Sequence, residues 1–204
     1  MGEIVFNPER HEYMVDGILR PSVTEIIRAA GLMGDVEWFA EASRLRGQAV
    51  HMACEFLDVN DLDWDTVAPQ HVGYVQAWER FKEETIFQPE LIEHRVFNKA
   101  LGYCGTLDRT GKIGQAKILL DIKTGAPERW HGVQLAAYVA CLEKPLSFRR
   151  MTVHLRADGT YSITEYSPAQ ALELWNVFQS AVNIFNFKGG MNGNSNGRTS
   201  GVAA

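Results

Sequence analysis

The chain has 204 residues, of which 46% are hydrophobic and 22% charged, and its formal net charge is −5. This length and composition predict one domain with a substantial core. An apolar run of about 18 residues is absent, which excludes a membrane-spanning helix, and the N-terminal residues lack the pattern of a secretory signal. The three widely spaced cysteines, Cys54, Cys104 and Cys141, argue against a disulfide framework, so we expect a cytoplasmic protein.

The first elements in chain order are a hairpin and a short helix. EYMV and ILR flank Asp16-Gly17, which is typical of a two-residue hairpin turn. Ser22 is a predicted N-cap, with Glu25 completing a capping box for a helix that ends near Gly31. An alternative role stays open, in which the hydroxyls of Ser22 and Thr24 bind a phosphate at this helix N-terminus.

A long helix is predicted from Asp35 to Leu57, because apolar residues recur there at spacings of three and four. His51 and Glu55 lie four apart and therefore share one face of this helix, the geometry by which a helix supplies metal or catalytic groups. A core or surface histidine is the alternative for His51, and a solvated or capping carboxylate is the alternative for Glu55.

Another helix is predicted from Pro69 to about Glu84, where an apolar stripe indicates a core face. The segment from Glu90 to Asn98 then alternates as a strand of the central sheet. Glu93 on this strand is either an acidic residue near a metal or an exposed strand position.

The most informative run is GTLDRTGKIGQAKILLDIKTG, which reads as two antiparallel strands. We predict strands over Tyr103 to Thr110 and Lys117 to Lys123, with the turn at residues 110–112. This pairing would bring Asp108 beside Asp121, while Asp121 and Lys123 point to one face. Two such carboxylates suit a hard divalent cation, and the ammonium can orient a water against a phosphodiester. An exposed hairpin with solvated charges is the alternative interpretation.

The remaining segments predict two helices and a hairpin. Arg129 to Leu142 reads as a helix on which Gln134 and Tyr138 face the same way, and strands over Leu146 to Leu155 and Tyr161 to Tyr166 follow it. Ser167 is a predicted N-cap for a final helix ending near Phe187. Its predicted buried face consists of Leu172, Trp175, Phe178 and Val182. The Gly, Asn and Ser-rich residues 188–204 predict a disordered tail, which leaves residues 1–187 as the domain.

Five motifs in this order resemble the PD-(D/E)XK nuclease superfamily, in particular its RecB-like and phage exonuclease branch: PSVTEII, RGQAVHMACE, GTLD, DIKTG and QLAAY. The first of them also resembles the opening of mitochondrial genome maintenance exonucleases. The resemblance covers roughly residues 11 to 187. It implies an α/β fold with a restriction-endonuclease-like core, in which helices flank a central mixed sheet after an N-terminal β-hairpin.

The resemblance also implies roles for individual residues. Mg²⁺ or Mn²⁺ would be held by Asp108, Asp121, the backbone carbonyl of Ile122 and His51. Lys123 would position or help deprotonate the attacking water. Gln134 and Tyr138 would lie on a helix that lines the active cleft, where they help hold the nucleic-acid backbone or the lysine. Some relatives carry an iron–sulfur cluster on four cysteines, and three cysteines predict none here.

The expected activity is a divalent-metal-dependent DNA exonuclease, a hydrolase that acts on single- or double-stranded ends in phage or bacterial recombination, replication or repair. A recombinase or single-strand annealing protein is a candidate partner by the same analogy. The alternatives are a structure-specific or nicking endonuclease, a catalytically silent DNA-end-binding module, and an unrelated binding domain. Ser22, Thr24 and Thr124 are candidate DNA contacts, with Arg44, Arg46, Lys99, Arg109, Lys123, Arg129, Arg149 and Arg150 as candidate basic groups.

Overall fold

The computed structural model describes residues 3–34 and 40–194. Its strands and helices, in chain order, are β1 (Ile4–Asn7), β2 (Glu12–Val15), β3 (Ile18–Arg20), α1 (Val23–Ala29), α2 (Ala40–Asp58), α3 (Pro69–Thr85), β4 (Gln88–Asn98), β5 (Tyr103–Ile113), β6 (Ala116–Lys123), α4 (Arg129–Val139), β7 (Phe148–Leu155), β8 (Tyr161–Tyr166) and α5 (Pro168–Asn194). Short 3₁₀ turns lie at Trp64–Thr66 and Pro145–Ser147.

The strands form two sheets. β1, β2 and β3 make a small antiparallel sheet, and the central sheet has the order β4-β5-β6-β7-β8. Only β6 and β7 run parallel in the central sheet, and α4 provides the crossover connection between them. The predicted class is confirmed: a mixed α/β fold with a central mixed sheet flanked by helices, preceded by an antiparallel hairpin.

Helices cover both faces of the central sheet. On one face, α1, α4 and α5 pack with Leu119 of β6. On the other face, α2 and α3 pack with the neighbouring residues Ile118 and Leu120. Successive side chains of a strand point to opposite faces, so Asp121 and Lys123 are expected on the same side as Leu119 and α4.

Several predicted boundaries and faces need correction. The hairpin turn lies at Gly114-Gln115, because β5 continues through residues 110–112. Gly111 does not form a turn. It allows β4 and β5 to approach closely, since a Cβ there would lie 2.2 Å from the Gln88 carbonyl oxygen. The apolar spacing that predicted α2 does not mark its core face, because Leu45, Met52 and Phe56 are exposed. Leu172 on α5 is also 63% exposed.

Other differences concern the ends of elements. β1 was not predicted, α4 ends at Val139 instead of Leu142, and α5 extends to Asn194. Residues 35–39 of the predicted second helix and residues 195–204 of the predicted tail lie outside the described residues. The capping box between Ser22 and Glu25 is present as predicted. Among the helices of the described ranges, none combines the length and apolarity needed to cross a membrane.

Two helical glycines should respond oppositely to alanine. A Cβ at Gly73 on α3 would lie 1.8 Å from the Ala157 carbonyl oxygen, so Gly73→Ala must push α3 away from the β7–β8 loop and should cost about 2 kcal/mol. Gly47 on α2 has its nearest neighbour at 4.0 Å, so Gly47→Ala should stabilise the fold by up to about 1 kcal/mol. Urea unfolding of both variants measures the two changes. Equal changes in both variants would contradict the packing of α3.

Candidate active site

The end of β6 carries an acid and a base that pair with each other. The carboxylate oxygen Oδ2 of Asp121 lies 2.5 Å from Nζ of Lys123. Lys123 Nζ also donates a hydrogen bond of 2.9 Å to Oε1 of Gln134 on α4. The indole ring of Trp130 lies with its centroid 5.1 Å from the same nitrogen. The ammonium is therefore held by a carboxylate and an amide beside an aromatic ring.

Helix α4 fixes the orientation of the Gln134 amide. Gln134 Nε2 donates to the hydroxyl of Tyr138, one helical turn away, at 3.0 Å. Tyr138 packs closely against Gly105 of β5, where a Cβ would lie 2.5 Å from the tyrosine ring. The amide nitrogen is occupied by Tyr138, so the amide oxygen is directed at Lys123. The predicted common face of Gln134 and Tyr138 is thus present and contacts Lys123.

A second group of side chains meets on the neighbouring elements. His51 of α2, Glu93 of β4 and Asp108 of β5 each offer a ligand atom, and these atoms lie within 4.8 Å of one another. His51 Nδ1 is 3.5 Å from Glu93 Oε1 and 3.6 Å from Asp108 Oδ2. The other ring nitrogen, Nε2, lies 2.9 Å from the carbonyl oxygen of Ile122 and donates to it. One imidazole and two carboxylates therefore converge from three elements.

The backbone around Asp108 departs from regular sheet pairing. The β5–β6 ladder ends at the pair Arg109–Leu120. Beyond it, Asp108 Oδ2 accepts a hydrogen bond of 2.7 Å from the Ile122 N–H, in place of a backbone acceptor. Glu93 has a φ of +44°, a left-handed conformation that is unfavourable for a residue with a side chain. Such strain is typical of functional sites, where surrounding contacts maintain it.

A buried arginine, Arg109, connects this cluster to the end of α2. Arg109 Nε lies 2.6 Å from Asp58 Oδ2, and its Nη1 lies 2.8 Å from Glu93 Oε1. Asp58 also forms an ion pair with Lys82, at 2.8 Å from Nζ, and accepts a hydrogen bond of 2.9 Å from the Trp78 indole. Arg109 is fully buried, so the prediction of a surface basic group is wrong for this residue. Its charge instead holds Glu93 in position.

The charges gathered at this site change the pKa values of its acidic and basic groups. Burial, reinforced by the negative charge of Asp108, raises the pKa of Asp121 to about 6. Burial lowers the pKa of His51, but the carboxylates of Asp108 and Glu93 outweigh it and raise the pKa to about 9. Partial burial alone would raise the pKa of Glu93, but His51 and Arg109 favour its ionised form and lower the pKa overall. The repulsion between the carboxylates of Asp108 and Asp121 thus favours binding of a proton or a cation at this site.

The donor set fits a hard divalent cation. Carboxylate oxygens suit Mg²⁺ and Mn²⁺, and an imidazole nitrogen favours the transition metal of these two. Among the sequence-predicted ligands, His51 and Asp108 belong to the converging group. Asp121 pairs with Lys123, and the Ile122 carbonyl accepts from His51. Glu93, the metal-proximal candidate, completes the group, whereas Glu55 is not part of it within the described residues.

Metal affinity should rise with pH. A cation must displace the protons of His51 and Asp121, whose pKa values are about 9 and about 6. The apparent affinity for Mn²⁺ should therefore increase between pH 6 and pH 9, with proton release on binding. Calorimetric titrations in two buffers of different ionisation enthalpy measure both quantities. A constant affinity without proton release would contradict this expectation. His51→Gln should remove the part of the pH dependence near pH 9, which comes from the imidazole.

The candidate DNA-binding residues have diverse surroundings. Arg46 Nε donates to Thr124 Oγ1 at 3.4 Å, which connects α2 to the residue after Lys123. Arg44 is exposed and forms an ion pair with Glu41 on the same helix. Ser22 is buried and caps α1 through its hydroxyl, and Thr24 lies in the first turn of that helix. Of the four residues just described, Arg46 therefore adjoins the end of β6, through its side-chain contact with Thr124.

Comparison with known proteins finds structural similarity only. An alkaline exonuclease from Laribacter hongkongensis, LHK-Exo, matches with a TM-score of 0.39 and 17% identity, over 82% of this chain and 92% of that chain. A structure of LHK-Exo in complex with dAMP matches with a TM-score of 0.39 and 16% identity, over 85% and 93%. No protein-family model and no curated protein matches the chain.

Sequence reasoning did not identify two residues of the site. Asp58 lies seven positions after His51, so the two share a helix face, and this spacing is a signal that points to it. Trp130 stands four positions before Gln134 on α4, and the same helical spacing indicates its place beside Lys123. The partners of both residues come from distant segments, which the sequence pattern does not specify.

Proposed function

We propose that this chain is a divalent-metal-dependent DNA nuclease that hydrolyses phosphodiester bonds from DNA ends. The observation that carries the proposal is the convergence of His51, Glu93 and Asp108 beside the Asp121–Lys123 pair. Phosphoryl chemistry requires compensation of negative charge and a positioned nucleophile, and these two groups of residues provide for both. No nucleophilic side chain of the protein is needed.

The metal would be held by His51, Glu93 and Asp108, with Asp121 adjacent. When bound, Mg²⁺ or Mn²⁺ supplies an electrophilic centre that neutralises the phosphate and lowers the pKa of bound water. The protein prepares this site by gathering carboxylates whose repulsion is relieved by a cation. Arg109 keeps Glu93 from turning away, since its guanidinium lies 2.8 Å from the carboxylate.

Lys123 is the proposed residue that orients the attacking water. An ammonium has three N–H donors, and one of them is directed at Oε1 of Gln134, while the Asp121 carboxylate compensates the charge as an ion pair. The remaining donors are available to a water molecule or to a phosphate oxygen. Because Tyr138 fixes the amide of Gln134, it also helps to fix the position of the Lys123 ammonium. Tyr138 is accordingly a positioning residue in this scheme.

Action on DNA ends is the finer part of the proposal, and the sequence resemblance to phage-type exonucleases supports it. Arg46 and Thr124, next to Lys123, are proposed contacts to the nucleic-acid backbone, and Ser22, Thr24 and Arg44 are further candidates. A role in recombination, replication or repair, with a recombinase or annealing protein as partner, follows from the same resemblance. A nicking or structure-specific endonuclease would use the same catalytic groups.

Digestion of labelled linear and circular DNA tests the proposal. Purified full-length protein is incubated with single- and double-stranded substrates in Mg²⁺, Mn²⁺ or EDTA, beside Lys123→Ala and the control Lys117→Ala. Lys117 is an exposed residue of the same strand, so its variant should retain activity. We expect metal-dependent loss of linear DNA, intact circles and an inactive Lys123→Ala variant. Cut circles would replace the exonuclease with an endonuclease, and absence of cleavage on every substrate would overturn the proposal.

A further inference from the structure

A cavity of about 560 Å³ lies between α4, α5 and the first residues of β7. Its walls are mostly apolar and include Ala136, Val139, Phe148, Tyr166 and Trp175. It lies at the opposite end of the parallel strands from the candidate active site. Phe148 pairs with Lys117, and the catalytic end is reached at Lys123, six positions and roughly 20 Å further along β6.

One buried cation in this wall has no counter-charge. The Arg150 side chain lines the cavity, and the residue is 8% exposed. Its Nε is buried without a hydrogen-bond partner among the described residues, and the hydrogen bond that the side chain does make runs from Nη2 to the Pro145 carbonyl oxygen at 3.2 Å. Within residues 3–34 and 40–194, Arg150 makes no ion pair. Burial lowers its pKa, but a guanidinium stays protonated at neutral pH.

The neighbouring charges of the cavity cancel each other. Arg149 donates two hydrogen bonds of 2.7 Å to the carboxylate of Glu165, and both residues line the cavity. Glu165 is therefore already engaged and does not compensate Arg150. The described charged side chains of the wall are these three, so the cavity carries one net positive charge. A buried charge without a partner is unfavourable, which indicates that an anion completes this site.

We propose that this cavity binds a small amphipathic monocarboxylate, with the carboxylate on Arg150 and an apolar body along α4 and α5. A guanidinium matches a carboxylate in shape and charge, and a single cation compensates a single negative charge. The volume lies in the range of small-molecule sites, and the apolar walls suit an aliphatic or aromatic body. Leu146 and Leu172, exposed at the rim, would be covered by that body.

Calorimetric titration of the full chain with octanoate tests the proposal, with 1-octanol and octylammonium as neutral and cationic probes of equal chain length. We expect octanoate to bind more tightly than either probe. Arg150→Met keeps the apolar stem and removes the charge, and it should weaken octanoate binding about tenfold or more. Arg156→Met, which removes an exposed arginine just after β7 and outside the cavity lining, is the matched control and should leave the preference for octanoate unchanged.

A second variant keeps the test decisive if Arg150→Met does not fold. Ala140→Trp fills the cavity from the end of α4 and leaves Arg150 in place, so it should abolish octanoate binding. Equal binding of octanoate and 1-octanol, or unchanged binding by Arg150→Met, would overturn the anionic ligand. Absence of binding by all three probes would overturn the site. DNA digestion is measured separately, so failure of the proposed nuclease activity does not bear on this result.

Discussion

Asp108→Asn should eliminate metal-dependent cleavage while preserving the fold. The amide oxygen of asparagine can still accept the hydrogen bond from the Ile122 N–H, which Asp108 Oδ2 accepts at 2.7 Å. The change removes one of the two carboxylates that converge with His51. We expect a decrease in the rate of DNA hydrolysis of at least about a hundredfold, because a metal ligand is lost.

The metal-free stability of this variant separates the catalytic role from a structural one. The charge of Asp108 contributes to the raised pKa of Asp121, so its removal relieves repulsion in the metal-free protein. The melting temperature without metal should therefore stay equal or rise, while the increase caused by Mn²⁺ in the wild type should disappear. Asp61→Asn, at an exposed carboxylate, is the control. Cleavage at the wild-type rate by Asp108→Asn would exclude this residue from the reaction.

Arg109→Met should cause the largest loss of stability among single substitutions near the site. The guanidinium is fully buried between Asp58 and Glu93, at 2.6 Å and 2.8 Å. Removing it leaves carboxylates without their buried partner, and loss of one member of such a pair costs about 3 to 5 kcal/mol. Urea unfolding of the metal-free protein measures the change in the free energy of unfolding.

A matched surface variant shows whether burial causes this effect. Arg149 forms a two-bonded ion pair with Glu165 at 2.7 Å, but both side chains are about half exposed. Arg149→Met should therefore change the free energy of unfolding by about 1 kcal/mol or less. Adding Asp58→Asn to Arg109→Met should recover part of the loss, since the two residues interact. Similar losses in the two arginine variants would show that the buried network does not stabilise the fold.

The sequence predicted the fold best where the pattern depends on local chain geometry. The short apolar run KILLDIK predicted β6, the two-residue repeat of a strand predicted the common face of Asp121 and Lys123, and helical spacing predicted the shared face of Gln134 and Tyr138. Both patterns depend only on the repeat of a strand or a helix. The roles of these side chains in catalysis stay predictions until the digestion experiments are done.

The sequence predicted less where one residue type serves two purposes. Glycine at position 111 was interpreted as a turn residue, but it allows the close approach of the Gln88 carbonyl. The face that α2 turns to the core depends on α3 and the sheet, so the apolar spacing of Met52 and Phe56 did not reveal it. The left-handed backbone of Glu93 is maintained by tertiary contacts that no local pattern encodes.

The burial of Arg109 has a consequence for the effect of salt. Ion pairs shielded from solvent are weakly screened, so the arrangement of Asp58, Arg109 and Glu93 should persist at high ionic strength. Contacts between exposed cations and a DNA backbone weaken steeply as salt increases, because bound counterions are released. A decrease in cleavage with added potassium chloride would then report weaker substrate association alone. Saturating DNA should restore the turnover rate, and ionic strength becomes a means of measuring docking separately from hydrolysis.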